Sequence, residues 1–214
     1  AGAKLAELLL EGGAVAADGG TDAALADRVT VLCRDYRDLT GTYDKLVSIE
    51  MIEAVGHQFF DIYFRACSER LKPEGLMLLQ AITIPDQRYD AYRRGVDFIQ
   101  RYIFPGGCLP SVCAVCDSVG RMTDMRLVHF EDLSPHYART LALWRERFFA
   151  NLDRVRALGF SDEFLRTWEY YFCYCEGAFR ERATGNAQML FAKPNCRREP
   201  VLSAHQPPDQ PPAG

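Results

Sequence analysis

The pattern of apolar and polar residues along the chain predicts an α/β protein. Three short runs rich in aliphatic residues predict strands, at residues 28–33, 45–50 and 75–80. Between the last two, aromatic and aliphatic residues recur at helical spacing over residues 60–71, and a Lys-Pro-Glu-Gly sequence at 72–75 ends that run. Because a strand, a helix and a second strand in this order form a βαβ unit, we expect the last two strands to be parallel.

The second half of the chain predicts a more helical and more aromatic region. A Ser-Pro pair at residues 134–135 predicts a helix that has the serine as N-cap, and Ser161 begins a second one. Residues 86–104 interleave aromatic and aliphatic residues with arginines. Residues 187–192 predict a closing strand, whereas the Pro-rich composition of residues 194–214 predicts a disordered tail.

Polar residues directly follow the predicted strands. They are residues 35–38, residues 50–53 and Gln80. Ligands bind outside the carboxyl ends of the strands in an open parallel sheet, so we expect these residues to converge on one crevice. Each also has a purely structural interpretation, because an aspartate among residues 35–38 could cap a turn, Glu53 could begin a helix and Gln80 could be a hydrogen-bonded core amide. Both interpretations stay open for each residue.

Charge and cysteine content narrow the class of function. The 214 residues include 25 Lys and Arg against 29 Asp and Glu, a net charge of −4 that argues against general nucleic-acid binding. Cys113 and Cys116 form one CxxC motif, and Cys173 and Cys175 form a CxC motif inside a helical run. Structural zinc sites use two paired motifs on turns, and residues two apart on a helix point to different faces. We therefore expect no metal site, and reduced, mostly buried thiols.

Several segments of the chain resemble the cyclopropane-fatty-acyl-phospholipid synthase family. The likeness runs in order and at the expected spacing from about residue 25 to residue 193, and its YIFPGGCLPS string is long and specific. The matching segments are residues 35–39 (DYRDL), 43–56 (YDKLVSIEMIEAVG), 79–86 (LQAITIPD), 102–111 (YIFPGGCLPS), 136–141 (HYARTL), 167–171 (TWEYY) and 175–180 (CEGAFR).

The resemblance implies an α/β, Rossmann-like class I methyltransferase fold with an inserted helical cap, in one catalytic domain over residues 1–193. It implies methyl transfer from S-adenosylmethionine to a cis double bond of a phospholipid acyl chain, followed by proton loss that closes a cyclopropane ring. Such a site must align sulfonium and alkene, and aromatic faces suit the carbocation that follows. Two alternatives stay open: a related lipid or small-molecule methyltransferase, and an inactive remnant that binds only lipid or a partner.

The resemblance also implies a catalytic base, a bound bicarbonate ion. Glu53 would anchor its hydrogen-bond network, Tyr137 would orient the anion through the hydroxyl group, and the backbone near Ile82 would contribute. Gln80 stands where many members of the family have histidine; an amide donates a hydrogen bond but does not titrate near neutral pH.

The resemblance also implies which residues bind the cofactor. We expect four residues to contact S-adenosylmethionine: Asp35, Tyr36, Arg37 and Glu50. The family begins its nucleotide site with a strand and a Gly-rich loop, and this sequence contains no G-x-G motif. We therefore expect an N-terminally truncated fold with a gap in the middle of its sheet, and weak cofactor binding.

The partners implied by the resemblance are phospholipid acyl chains at a membrane surface. The arginines and aromatic residues of 86–104 are the candidate contact, because such side chains suit the headgroup region. No apolar run approaches the roughly 20 residues of a membrane-spanning helix, and no signal peptide is visible. We expect a cytoplasmic protein peripheral to the membrane, and a homodimer is a further expectation.

Overall fold

The computed structural model describes residues 29–198, which form a mixed α/β fold around a four-stranded sheet. The strands are β1 (Tyr43–Ile49), β2 (Leu71–Thr83), β3 (Arg126–Asp132) and β4 (Gly185–Ala192). The α-helices are α1 (Phe60–Glu69), α2 (Asp86–Tyr92), α3 (Val112–Met122), α4 (Ser134–Ala150), α5 (Leu152–Ala157) and α6 (Asp162–Arg180). Shorter elements are the 3-10 helices Tyr36–Asp38, Ile52–Ala54 and His57–Phe59 and a π-helix, Ile99–Ile103.

The strand order is β1-β2-β4-β3, with β1 parallel to β2 and the other two pairs antiparallel. Because α1 connects β1 to β2, the βαβ unit predicted from the sequence is confirmed. The predicted strands at 45–50 and 75–80 lie within or overlap β1 and β2, and the closing strand at 187–192 lies within β4. The sheet is therefore parallel only at its β1 side.

The starts of the two long helices follow local sequence. Ser161 caps α6, because its hydroxyl oxygen accepts a hydrogen bond from the Phe164 amide at 3.2 Å. The helix α4 begins one residue earlier than predicted: Leu133 is the N-cap, and Ser134 is the first helical residue. Pro135 still lies in the first turn, where a missing backbone N–H leaves no intrahelical bond unmade.

Two sequence predictions about the sheet are wrong, and one strand was missed. Residues 29–33 form no strand; they are exposed and pair with no other described strand. The strand β3 was not predicted, because it lies at the sheet edge with nearly every residue exposed and so lacks apolar alternation. Within residues 29–198 the four strands adjoin without the expected gap, and β1 forms one edge. The predicted tail from residue 199 onward lies outside the described residues.

The period-two alternation of β2 separates two packing environments. Met77, Leu79 and Ala81 are fully buried in a cluster with α1 and α3. The next residue, Ile82, instead packs against a second cluster, which is formed by α4, α5 and α6. We call these three helices the helical cap. The second cluster is rich in aromatic side chains: Phe148, Phe172 and Phe179 are buried, and Tyr137, Trp144, Phe160, Phe164, Trp168 and Tyr171 pack against them.

Candidate active site

The candidate active site begins at the carboxyl end of β1. Glu50 follows the last residue of this strand, and its φ of 49° lies in the left-handed region, which non-glycine residues rarely adopt. Its backbone N–H donates to the Gln80 carbonyl at 2.9 Å, so the two neighbouring strand ends are fixed to each other. The chain then turns through the short helix Ile52–Ala54, which places Glu53 at the same edge of the sheet.

The Glu50 carboxylate accepts hydrogen bonds from three side chains that are distant in sequence. Gln80 Nε2 donates to Oε1 at 3.0 Å, and Asn186 Nδ2 donates to the same oxygen at 2.8 Å. The Tyr137 hydroxyl donates to Oε2 at 2.8 Å. Gln188 Nε2 in turn donates to Gln80 Oε1 at 2.8 Å, which fixes the orientation of that amide. Three donors from distant parts of the chain converge on one carboxyl group, so the position and orientation of the Glu50 side chain are fixed.

Glu53 has a different environment. One of its carboxyl oxygens, Oε1, accepts the backbone N–H of Ile82 at 2.6 Å. The other, Oε2, is buried and has no hydrogen-bond partner within residues 29–198. Burial raises the pKa of Glu53 to about 7, an effect that its backbone hydrogen bonds oppose and the nearby Glu50 charge reinforces. Near neutral pH, therefore, Glu53 is present as both the acid and the carboxylate.

Both glutamates line a cavity of about 810 Å³ between the sheet edge and the helical cap. Its wall is largely apolar and aromatic, with Trp144, Tyr171 and Phe179 contributed by the cap. The opposite wall comes from residues 97–109, which include the π-helix and the Pro-Gly-Gly sequence at 105–107. The result is a largely apolar chamber in which the carboxyl groups of Glu50 and Glu53 lie near the Tyr137 hydroxyl, and Arg88 and Asp97 also line it. It suits an apolar reactant and a reaction that ends in proton transfer.

The structure brings five of the predicted site residues together. They are Glu50, Glu53, Gln80, Ile82 and Tyr137. The network nevertheless centres on Glu50, which was expected to bind cofactor, and not on Glu53, which was expected to anchor it. The structural interpretation of Gln80 as a hydrogen-bonded amide also fits, because both ends of its side chain are bonded.

Asp35, Tyr36 and Arg37 lie away from this network, and none of them lines the cavity. The Asp35 carboxylate caps the helix Tyr36–Asp38 and pairs with Arg37 at 2.6 Å, which lowers the pKa of Asp35 to about 2. Tyr36 packs edge-on against Tyr63 with ring centroids 5.5 Å apart. The turn-capping interpretation of Asp35 therefore describes its geometry, and its contact with a cofactor stays a prediction.

Two residues of the network were missed from the sequence. Asn186 and Gln188 lie two residues apart on β4, so they share the face of the sheet that carries Gln80. Asn186 is completely buried. The available signal was two amides at period two in an otherwise apolar strand, since a buried amide needs a partner.

The cysteines form no metal site within residues 29–198, where no group of three or more His, Cys, Asp or Glu side chains is placed to hold an ion. The expectation of mostly buried thiols is wrong. Only Cys67 and Cys108 are buried, because the CxxC and CxC motifs each place one residue on an exposed helix surface. Exposed thiols are Cys33, Cys113 and Cys173.

Within residues 29–198, none of the helices combines the length and apolarity needed to span a bilayer.

The fold and the capped cavity are those of the class I S-adenosylmethionine-dependent methyltransferases. A crystal structure of the mycolic acid cyclopropane synthase CmaA1 complexed with SAH and CTAB matches with a TM-score of 0.69 and 30% sequence identity, over 76% of this chain and 59% of that one. The family model for mycolic acid cyclopropane synthetase matches residues 14–189, so the chain belongs to that family. The predicted resemblance and fold class are confirmed, and the match begins earlier than the predicted residue 25.

Two curated relatives are similar over most of this chain. The tuberculostearic acid methyltransferase UfaA1 of Mycobacterium tuberculosis is 48% identical over 158 residues, which are 74% of this chain and 37% of the relative. The cyclopropane-fatty-acyl-phospholipid synthase of Escherichia coli K12 is 40% identical over 166 residues, 77% of this chain and 41% of the relative. The chain thus spans about two fifths of the length of these relatives.

Proposed function

We propose that the protein transfers a methyl group from S-adenosylmethionine to a carbon–carbon double bond in a lipid acyl chain, and then removes a proton to give a cyclopropane ring. The observation that carries this proposal is the largely apolar, aromatic cavity that the carboxyl groups of Glu50 and Glu53 line. Membership of the family supports the methyl donor, and the CTAB in the CmaA1 complex, a detergent with a long alkyl chain, supports an acyl-chain acceptor.

The residues around the cavity suit this chemistry. S-adenosylmethionine supplies an electrophilic methyl group when bound. An alkene then needs no base before attack, but it leaves a carbocation that water would quench. The faces of Trp144, Tyr171 and Phe179 stabilise positive charge and exclude water. A carboxylate at the end of the cavity then accepts the proton whose loss completes the product.

Cofactor contacts from four residues remain part of the proposal. Asp35 and Arg37 pair with each other at the surface, so their charged groups are accessible to a polar ligand. Tyr36 offers an aromatic ring beside them. Glu50 fits this role less well, because its carboxylate is already held by three protein donors.

The expected bicarbonate does not fit this donor set. Tyr137 has one hydroxyl proton, and it is directed at Glu50. The Gln80 and Asn186 amides also donate to Glu50 and do not line the cavity. An anion in the cavity would therefore find these three donors already committed to Glu50. We derive no step through bicarbonate.

Methyl transfer without ring closure is the second candidate function. The name of UfaA1, a tuberculostearic acid methyltransferase, favours it. Migration of a hydride to the carbocation before proton loss would leave a methylene branch in place of a ring. Both outcomes require the same methyl donor, the same apolar cavity and a base, so only the product distinguishes them.

A membrane-surface location is supported by the segment between α2 and the cavity. Val96, Tyr102 and Phe104 expose 73%, 62% and 56% of their surface, the Arg101 guanidinium lies over the Tyr102 ring, and Arg94 is in the same segment. Aromatic rings and arginines at one surface suit the lipid headgroup region. We propose that this surface meets the bilayer from the cytoplasmic side, where acyl chains could enter the cavity that residues 97–109 line.

Product analysis tests the proposed function directly. The protein as its gene encodes it is incubated with methyl-labelled S-adenosylmethionine and vesicles of monounsaturated phospholipid, and the acyl chains are examined by mass spectrometry and NMR. We expect label in a cyclopropane methylene, whereas label in a branch methylene would favour the second candidate. Tyr137→Phe should lower turnover by about a hundredfold. Tyr170→Phe, a change at an exposed tyrosine outside the cavity, is the matched control. The proposal would be contradicted if the protein transferred the label to a different acceptor and the lipid stayed unlabelled.

A further inference from the structure

We infer that the Glu50 carboxylate itself is the proton acceptor of this site, in the place that the resemblance assigns to bicarbonate. The inference rests on the proposed function, because it names the base for the proton that the alkylated acyl chain must lose. It is carried by the arrangement of donors around Glu50, by the backbone conformation that aims its side chain, and by the contrasting surroundings of Glu53.

The donors leave one acceptor position of Glu50 available. A carboxylate oxygen has two lone-pair sites. Oε1 of Glu50 uses both, for the amides of Gln80 and Asn186 at 3.0 and 2.8 Å. Among residues 29–198, Oε2 accepts only the Tyr137 hydroxyl, so one of its sites remains. Since Glu50 lines the cavity and the two amides do not, the carboxylate stands between them and any reactant.

The backbone at Glu50 is consistent with a placed functional group. Its φ of 49° is a conformation that glycine adopts readily and that glutamate adopts at a cost. Within residues 29–198 only one other non-glycine residue, Arg182, has a positive φ. This conformation turns the side chain of the residue after β1 toward Tyr137 on the cap and Asn186 on β4.

Glu53 is less suited to accept the proton, although it lines the same cavity. In the described part of the chain its Oε2 is buried without a partner, and its other oxygen accepts the Ile82 amide. Burial raises the pKa of Glu53 to about 7, so part of the population near neutral pH is already the acid and cannot take up a further proton. The Glu50 carboxyl group instead accepts hydrogen bonds from three side chains, which hold it in one position beside the cavity. The two glutamates of one site thus differ in their hydrogen-bond donors, and Glu50 is the one that is held in place by several side chains.

The proton transfer balances without any further reactant. The π electrons of the alkene form a bond to the methyl carbon, and the electron pair of the broken sulfur–carbon bond stays on sulfur. A C–H bond of the added methyl group then breaks. Its electron pair forms the second new ring bond at the cationic carbon, and the proton bonds to Glu50 Oε2. The protonated Glu50 returns its proton to water when product leaves.

The first test needs no substitution. Turnover of the wild-type protein is measured in buffer freed of carbon dioxide and bicarbonate, and again with bicarbonate added. We expect the two rates to agree within a factor of two. A second measurement, NMR of ¹³C-labelled bicarbonate with the protein, should show no bound ion. A rate that falls severalfold on depletion, or bound bicarbonate in the wild type, would overturn the inference.

Substitutions at Glu50 supply the converse test. Glu50→Gly removes the carboxylate, leaves space for a small anion and suits the positive φ. It should lose at least about a hundredfold in turnover and regain much of it when bicarbonate or formate is added. Glu50→Gln should lose a similar factor without rescue, since its amide still fills the space. Glu53→Gln should lose less than Glu50→Gln, because an amide resembles the neutral acid.

These outcomes separate the inference from the proposed function. Absence of labelled lipid with the wild type would refute the proposed function. The NMR measurement of bicarbonate binding would then still decide whether Glu50 takes the place that the resemblance assigns to bicarbonate. Normal labelling by Glu50→Gln would refute the inference alone. Circular dichroism melting of each variant shows whether it is folded, and a variant that unfolds leaves the decision to the wild-type measurements.

Discussion

Replacing Glu53 by Gln is expected to remove a pH dependence from the folding stability of the protein. The folded-state pKa of Glu53 is about 7, against an ordinary value of 4.5, chiefly because of burial. A carboxyl group with a raised pKa binds its proton more tightly in the folded state. Its full contribution to stability is therefore present below pH 4.5 and is lost as the pH rises to and beyond 7. At about 1.4 kcal/mol per pH unit, the loss is at most roughly 3 kcal/mol.

Urea denaturation at pH 4.5, 6, 7 and 8 measures this effect. Glu53→Gln keeps an oxygen for the Ile82 amide and has no proton to lose, so contributions from other groups cancel in the difference between the two proteins. We expect the unfolding free energy of the wild type to fall by up to about 3 kcal/mol relative to the variant across this range. Glu69→Gln, at an exposed glutamate, should leave the pH profile unchanged. Parallel profiles for wild type and Glu53→Gln would refute the argument from burial.

Three further outcomes test packing and thiol exposure. Phe64→Ala empties a completely buried position between Tyr63 and Phe191, and should lower the unfolding free energy by about 3–5 kcal/mol in urea, with a smaller loss for Phe64→Leu. Gly185→Ala places a methyl group 2.9 Å from Thr83 Oγ1, so it should lower the melting temperature and cost about 1–3 kcal/mol. A chromogenic disulfide should react first with the exposed thiols, which are Cys33, Cys113 and Cys173. It should react with Cys67 only after unfolding, because burial protects this thiol and raises its pKa to about 12.

Elements with a buried face could be predicted from the sequence. The strand β2 alternates buried and less buried residues along much of its length, and the helix α1 buries residues at helical spacing, so both show a clear period. The edge strand β3 buries almost none of its side chains, so apolar periodicity does not predict it. Residues 29–33 show the opposite error. Their β-branched composition fits a strand, but a strand also needs a neighbour, which composition does not supply.

The candidate site was predictable only where strand ends determine it. Glu50 and Gln80 follow from the rule that ligands meet the carboxyl ends of parallel strands, and they lie 3.0 Å apart. Tyr137 is joined to them through the packing of a distant helix, which only the family resemblance indicated. The division of roles between Glu50 and Glu53 depends on which carboxyl group receives the donors. That is a property of the assembled fold.

The position of β4 in the sheet has a consequence for synthesis of the protein. β1, α1 and β2 are consecutive and can pair as soon as they leave the ribosome, but the free edge of β2 waits for β4, about a hundred residues later. Until then a long apolar strand presents unpaired backbone groups, the arrangement that chaperones protect against aggregation. Asn186, which is 136 residues from Glu50, arrives with that same strand. The nascent chain therefore completes its site and closes its sheet in one late step, and a stop codon before residue 185 would abolish both.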